Sequence, residues 1–404
     1  MKNPWPTRVA LSVGSVAALL FALGCGGSSP GSSSSSSSGS SSGSSPTGTG
    51  QLSFVKSSTP ATNPWPQSIV VADFNGDGKL DLAVSVYSIF TPLSDMNILL
   101  GNGDGTFTAG PAFPLVGQNV NNAVAADFNG DGKADLAISL PDANQVQVLL
   151  GNGDGTFTPM PAIAAPGVFV IATADFNGDG KPDLVVVSPG SNTLTILLGN
   201  GNGTFTTKAT IPVPGGPQSI AIADFNGDGK ADLAVADYFS DKVTVLLGNG
   251  DGTFTEAASS PATGIEPLSI AVGDFNGDGI PDLAVTNQNN GAPNLGSVTV
   301  LLGHGDGTFA PTAASPTTGA NPNSVAVADF NGDGKADLVV ANAGSNTISV
   351  LLGNGDGTFA APLSFGAGTD PLFVAVGDFK GDSIPDLAIA NNTTSSVTVL
   401  LTEH

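Results

Sequence analysis

One hexapeptide recurs down this chain and limits what the chain can become. Asp-Phe-Asn-Gly-Asp-Gly begins at Asp73, Asp127, Asp175, Asp224, Asp274 and Asp329, and a degraded copy begins at Asp378. The intervals are 54, 48, 49, 50, 55 and 49 residues. A period near 50 marks a solenoid or a propeller, because one such unit cannot bury a core alone and must stack on its neighbours.

Within a unit the pattern predicts four short strands. Ser219–Ala223 leads into the Asp-rich loop and Asp232–Ala236 leaves it. Val243–Leu247 follows and ends in Gly248-Asn249-Gly250-Asp251-Gly252, a hairpin signal. Thr253–Thr255 opens a fourth, more polar strand, as suits a sheet edge. Consecutive apolar residues in the first strand suit burial on both faces. Four-stranded blades repeated about an axis make a β-propeller.

The two ends are complementary. The seventh unit stops after its third strand, at Leu400-Leu401, and the missing fourth strand stands at the other end, in Gln51–Lys56. An open solenoid has no use for such ends. The expectation is therefore an all-β, seven-bladed propeller over residues 51–404, its ring closed by the N-terminal strand.

Each good copy of the loop reads Asp-x-Asn-x-Asp-Gly-x-x-Asp. Alternating hard oxygen ligands in a tight turn suit Ca²⁺. In the first copy Asp73, Asn75, Asp77 and Asp81 offer side-chain oxygens and Lys79 a backbone carbonyl. The same positions are Asp127, Asn129, Asp131, Lys133 and Asp135 in the second copy, and Asp175, Asn177, Asp179, Lys181 and Asp183 in the third. They are Asp224, Asn226, Asp228, Lys230 and Asp232 in the fourth, and Asp274, Asn276, Asp278, Ile280 and Asp282 in the fifth. The sixth has Asp329, Asn331, Asp333, Lys335 and Asp337. Without a cation, three carboxylates in one loop repel one another; the alternative is a plain Asx turn, which needs only one Asp or Asn and a Gly. In the seventh copy Lys380 replaces Asn and Ser383 replaces Gly, so its ammonium is expected to neutralise Asp378, Asp382 and Asp386. That leaves six Ca²⁺ sites and a seventh that is weak or empty. The second repeated turn, Gly-Asn-Gly-Asp-Gly-Thr, has too few carboxylates for a metal and reads as a hairpin.

These units resemble the FG-GAP/VCBS-type repeats of integrin α-subunit propellers and many bacterial surface proteins, over roughly residues 51–404. The resemblance implies structural Ca²⁺ in the hairpin between first and second strands, on the face opposite the usual ligand surface.

On that opposite face lie the second turns and the links between blades, which vary from unit to unit. They carry the candidate ligand residues Trp65, Tyr87, Phe90, Tyr238 and Phe239. Variable loops on a rigid repeat are where binding usually lives; the plainer alternative is that they only solvate the fold. Charge narrows the partner. Lys plus Arg number 11 against 34 Asp plus Glu, a net charge of −23, so nucleic acid is excluded as a partner. Residues 51–404 hold no Arg and no Cys, and only His304 and His404. No Ser-His-Asp or Cys-His set can form from them, and the expectation is a non-enzyme, with a carbohydrate-active enzyme such as a lyase the least favoured class. A pair such as Asp237 and Asp241 could in principle do acid–base work, but nothing in their spacing demands it, and they are expected to be solvated loop acids. A structural or assembly role in the envelope is the other alternative to binding.

The N-terminus reads as an address. Lys2 and Arg8 precede an apolar run, Val9–Leu23, too short to span a membrane and suited to a signal peptide. Its end, Phe21-Ala22-Leu23-Gly24-Cys25, resembles a bacterial lipoprotein signal, which implies lipidation at Cys25 and a membrane-anchored, periplasmic or surface-exposed protein. Residues 26–50, nearly all Ser and Gly, predict a flexible tether. A monomeric propeller follows.

Overall fold

The computed structural model describes residues 52–87, 96–111, 119–288 and 296–403. Cys25, the signal, the tether and Phe90 lie outside the described residues. The described residues form seven antiparallel sheets and no helix. Each sheet is one blade, met in chain order from inner to outer strand. Blade 4 shows the plan, with strands Pro217–Ala223, Asp232–Asp237, Lys242–Gly248 and Phe254–Glu256. All six residues of the second strand are buried, because it has a strand on each side and a neighbouring blade on each face. The outer strand is largely exposed.

The ring closes as its ends require. Ser53–Ser58 pairs antiparallel with Ser396–Glu403, in the register Phe54 to Thr402 and Val55 to Leu401, and becomes the outer strand of blade 7. One blade departs from the four-strand plan. In blade 2 the outer strand is split into Phe157–Pro159 and Ile163–Ala164, on either side of Pro161, which has no N–H to give the ladder.

Neighbouring blades are joined by a clasp that the sequence reading missed. The Phe of each Asp-rich loop meets the Phe of the next blade's outer strand edge-on. The pairs are Phe74–Phe157, Phe128–Phe205, Phe176–Phe254, Phe225–Phe309, Phe275–Phe359 and Phe379–Phe107, with centroids 5.4 to 5.7 Å apart. Phe330 meets Phe54 of the closing strand at 6.2 Å. Beside six of these pairs a turn glycine donates its N–H to the loop Phe carbonyl, as Gly155 does to Phe74 at 3.0 Å and Gly105 to Phe379 at 2.9 Å. Nearer the axis, Ser219, Ser269 and Ser324 each accept the N–H of the next blade's inner strand, at 3.2 to 3.3 Å.

A second recurring device sets the entry to five inner strands. Trp65, Gly216, Glu266, Asn321 and Asp370 all hold positive φ, and each directly precedes a proline. Their carbonyls accept the N–H of Tyr87, Tyr238, Gln288, Ala343 and Asn392, at 2.9 to 3.2 Å. For Trp65 and Glu266 this backbone is strained, and the hydrogen bond and the following ring hold it.

If the closing strand carries this weight, removing the chain up to Ser58 will lower the melting temperature and open the Val399–Glu403 amides to hydrogen exchange. An unchanged melt would show that the ring does not need that strand.

Candidate functional site

The two repeated turns share one face of the disc. The Lys79 side chain lies along Gly103 of the second turn of its own blade, and Asp81 accepts the Gly101 N–H at 2.7 Å. The Asp-rich loop is wound about its own side chains. Asp73 accepts the N–H groups of Gly76 at 2.7 Å and Gly78 at 2.8 Å, Asn75 that of Asp77, and Asp77 that of Lys79. Gly76 and Gly78 take positive φ, which the tight winding demands. The ninth-position acid is the pivot. Asp81 is fully buried and accepts the N–H of Phe74 at 2.9 Å as well as that of Gly101.

The ninth-position acids also feel the other charges of their loops. Burial pushes the Asp81 carboxyl upward against the pull of those two amides, and the charges of Asp73 and Asp77 push it further. Asp135, Asp183 and Asp232 are raised in the same way, and Asp282 and Asp337 to about 6. The first and fifth-position acids thus bear on a buried carboxylate. Among the described residues, however, no three carboxylates stand together as a preformed metal cage. In five loops the fifth-position acid pairs instead with the lysine two residues on, from 3.0 Å for Asp228–Lys230 to 3.7 Å for Asp77–Lys79. These pairs are well exposed and contribute little stability. In the fifth loop Ile280 supplies no charge, and Asn276 donates to Asp278 at 2.9 Å. The donor set of Asp, Asn, Asp, a backbone carbonyl and Asp is all oxygen and fits a hard divalent cation.

The seventh loop differs as its sequence requires. Lys380 Nζ stands 2.9 Å from Asp382 and donates to the Thr402 carbonyl at 2.7 Å. Its charge also favours ionised Asp386, although burial still holds that group above its usual range. Ser383 takes the positive φ that glycine holds elsewhere.

The second repeated turn is closed on itself. Asp104 accepts both the N–H and the hydroxyl of Thr106, at 2.9 and 2.6 Å, and Asn102 donates to that hydroxyl at 2.9 Å.

On the opposite face the candidate ligand residues fall into two groups. Trp65 and Tyr87 are half-buried neighbours on blade 1, joined by a backbone hydrogen bond. Trp65 is thus less exposed than a free stacking ring would be. The Tyr87 hydroxyl is pushed up by burial and by Asp142. Tyr238 and Phe239 sit on the turn of blade 4, with rings perpendicular at 5.1 Å.

One expectation is corrected here. Asp237 is not a solvated loop acid. It is wholly buried at the end of its strand and takes the Thr244 hydroxyl at 2.6 Å. Asp241 is a backbone acceptor, holding the Glu266 N–H at 2.8 Å. Asn287, Asn342 and Asn391 occupy the place of Asp237 in blades 5 to 7, and each donates to a hydroxyl of the third strand. The signal was a polar residue ending an apolar run.

The family comparison agrees with this geometry. The FG-GAP-like repeat model matches residues 34–84, 86–138, 127–186, 175–235, 224–285, 275–340 and 329–389. The chain belongs to that family. No curated protein matches the sequence. Among solved structures it is similar to a protein from Lactobacillus plantarum, with TM-score 0.60 and 12% identity, covering 78% of this chain and 87% of that one. It is also similar to virginiamycin B lyase from Staphylococcus aureus, with TM-score 0.55 and 15% identity, covering 87% and 98%. The periplasmic gluconolactonase of Pseudomonas aeruginosa gives TM-score 0.57 and 16% identity, covering 76% and 87%. At these identities the likeness is one of fold.

Asp237 yields a pH test. Burial raises its carboxyl from the ordinary 3.8 to about 6. The folded state therefore resists ionisation more than the unfolded chain does. That cost is absent below about pH 4, grows as pH rises towards 6, and is complete above it. Asp237→Asn keeps an acceptor for Thr244 and removes the charge. It is expected to stabilise the protein by ~1–3 kcal/mol at pH 8 and by nothing near pH 3.5, read by urea unfolding at both.

Proposed function

We propose that this protein is a non-catalytic binding module of the bacterial envelope. In this reading it is anchored by lipid at Cys25, stiffened by Ca²⁺ on one face, and presents its variable face to a glycan or protein ligand. One observation carries it. All the repeated acidic turns lie on one face, while the unlike loops, with Trp65, Tyr87, Tyr238 and Phe239, lie on the other. A uniform face maintains a scaffold, and a varied one discriminates between partners. Propellers host many functions, enzymes among them, so the reading rests on these residues and not on the fold.

The Ca²⁺ ligands in this reading are the first, third, fifth and ninth side chains and the seventh carbonyl of six loops. The cation would offset the negative charge of the buried ninth acid, and the fifth acid would have to leave its lysine to take part. The fifth loop, with Ile280, has no such competitor. Lys380 serves the seventh loop in place of a metal. Six Ca²⁺ would bring the net charge from −23 to −11. The absence of Arg from residues 51–404 weighs against a uronate-cleaving enzyme.

Three measurements test this. Metal analysis of the full chain should find six Ca²⁺, and Lys380→Asn should add one. Chelation should lower the melting temperature, each site contributing ~2.7 kcal/mol when saturated a hundredfold. A melt indifferent to chelator would sink the metal reading. A screen against glycans and cell-wall polymers should then give saturable binding that Trp65→Ala abolishes. Copurification with envelope proteins and no ligand would favour an assembly role instead.

A further inference from the structure

Exposed large apolar side chains are few among the described residues. They are Val55, Phe239 and Ile265, at 46%, 67% and 54% exposure. Two of the three stand on segments that touch. Phe239 is on the blade 4 turn and Ile265 is on the link into blade 5. That link is bonded to the turn twice, by the Thr263 N–H to the Asp241 carbonyl at 2.9 Å and by the Glu266 N–H to the Asp241 carboxylate at 2.8 Å.

Phe239 is exposed but not loose. Its ring lies over Gly216 so closely that a Cβ there would come within 2.3 Å of it. The N–H groups of Tyr238 and Phe239 donate to the carbonyls of Gly216 and Gly215, and the Tyr238 ring abuts Phe239 edge-on. An aromatic group already fixed in place loses little entropy on binding, which is what anchors of protein interfaces provide.

The charge around it is one-sided. Outside the two repeated turns the chain has eight acids, and four of them, Asp237, Asp241, Glu256 and Glu266, fall in residues 237–266. Lys242 is the one cation in that stretch. One carboxylate oxygen here, on half-buried Glu266, is itself buried and has no hydrogen-bond partner; the unpartnered oxygen of Asp237 recurs at Asn287, Asn342 and Asn391 and belongs to the blade plan. Carboxylates accept and do not donate, so what is missing is a donor, and a charged one compensates best.

We propose that the seam between blades 4 and 5 is a docking site for a polypeptide segment that carries lysine or arginine beside an apolar side chain. The apolar group covers Phe239 and Ile265, and the cation meets Asp241 and Glu266. The proposal rests on the variable-face reading above and names its partner class. A neutral glycan could stack on Phe239 but would leave the excess negative charge uncompensated, so the charge decides for a basic peptide.

The test uses the full chain loaded with Ca²⁺ and a soluble peptide repeating Lys-Leu-Lys-Gly, with its Glu-for-Lys counterpart as control. The Lys peptide should bind and the Glu peptide should not. Phe239→Ala and Ile265→Ser should each weaken binding about tenfold, and Phe239→Tyr should preserve it. Asp241→Asn with Glu266→Gln should weaken it about tenfold and flatten its dependence on salt. Asp142→Asn and Asp370→Asn, acids on other blades, should change nothing. Equal losses at Asp142 and Asp370 would reduce the effect to bulk charge and overturn the proposal. So would glycan binding that depends on Phe239 while the Lys peptide fails. Glycan binding that depends on Trp65, with no peptide binding, would overturn this site and leave the variable-face reading standing. Binding of neither would remove both.

Discussion

Every blade is held to the next by one phenylalanine ring set against another. A four-stranded sheet cannot bury both faces by itself, so each blade borrows its neighbour's surface. The Phe that follows the first Asp of each loop is the deepest part of that loan; Phe225 and Phe330 are almost wholly buried. Edge-to-face pairs add something beyond area, about 0.5–1.5 kcal/mol each. Their larger effect here is to fix the angle between blades, because the ring pair and the glycine-to-carbonyl bond beside it define one approach. At the closing seam there is no second turn, and Phe54 alone supplies the ring contact from the N-terminal strand.

The clasp and the acidic loop are a single construction. The Phe74 N–H binds the ninth acid, Asp81, and its carbonyl receives Gly155 of the next blade. Asp81 also holds Gly101 in its own third strand. One buried carboxylate thus ties the loop to its own sheet directly and to the neighbouring sheet through Phe74. Whatever satisfies that carboxylate's charge acts on the junction between blades as well as on the loop. In the seventh loop Lys380 reaches the Thr402 carbonyl, so the charge is tied to the strand that pairs with the N-terminal one. Lys380 thus ties the seventh loop to the third strand of the closing blade, a link that the lysines of the other loops do not make among the described residues.

The sequence disclosed whatever repeats along the chain. The blade count, the strand order and the closing strand followed from period and strand pattern. Both members of the phenylalanine clasp were also visible as fixed positions, in Asp-Phe and Thr-Phe. That they meet each other is a relation between units, and spacing within one unit does not contain it. Asp237 was misread for a different reason. An acid at the end of an apolar run looks solvated when burial is inferred from side-chain polarity alone, but the link containing Gly215 lies over it. Trp65 and Glu266 illustrate a third limit. Propensity places neither in left-handed backbone, and only the hydrogen bonds from Tyr87 and Gln288 make that conformation worth its strain.

The two faces differ in what fixes them, and this accounts for the freedom of one and the uniformity of the other. On the acidic face the side chains themselves make the structure, so an exchange at Asp81 or Phe74 disturbs a blade junction. On the opposite face the last residue of a turn holds the next link through its side chain, as Asp241 holds the Glu266 N–H, but the aromatic positions are held through their backbone, as when Tyr238 and Phe239 donate to the Gly216 and Gly215 carbonyls. Those backbone bonds survive almost any side chain at the same positions. A turn held by its backbone can therefore carry an exposed aromatic ring without risk to the fold. A rigid ring on a stable frame is the arrangement that recognition of a partner requires.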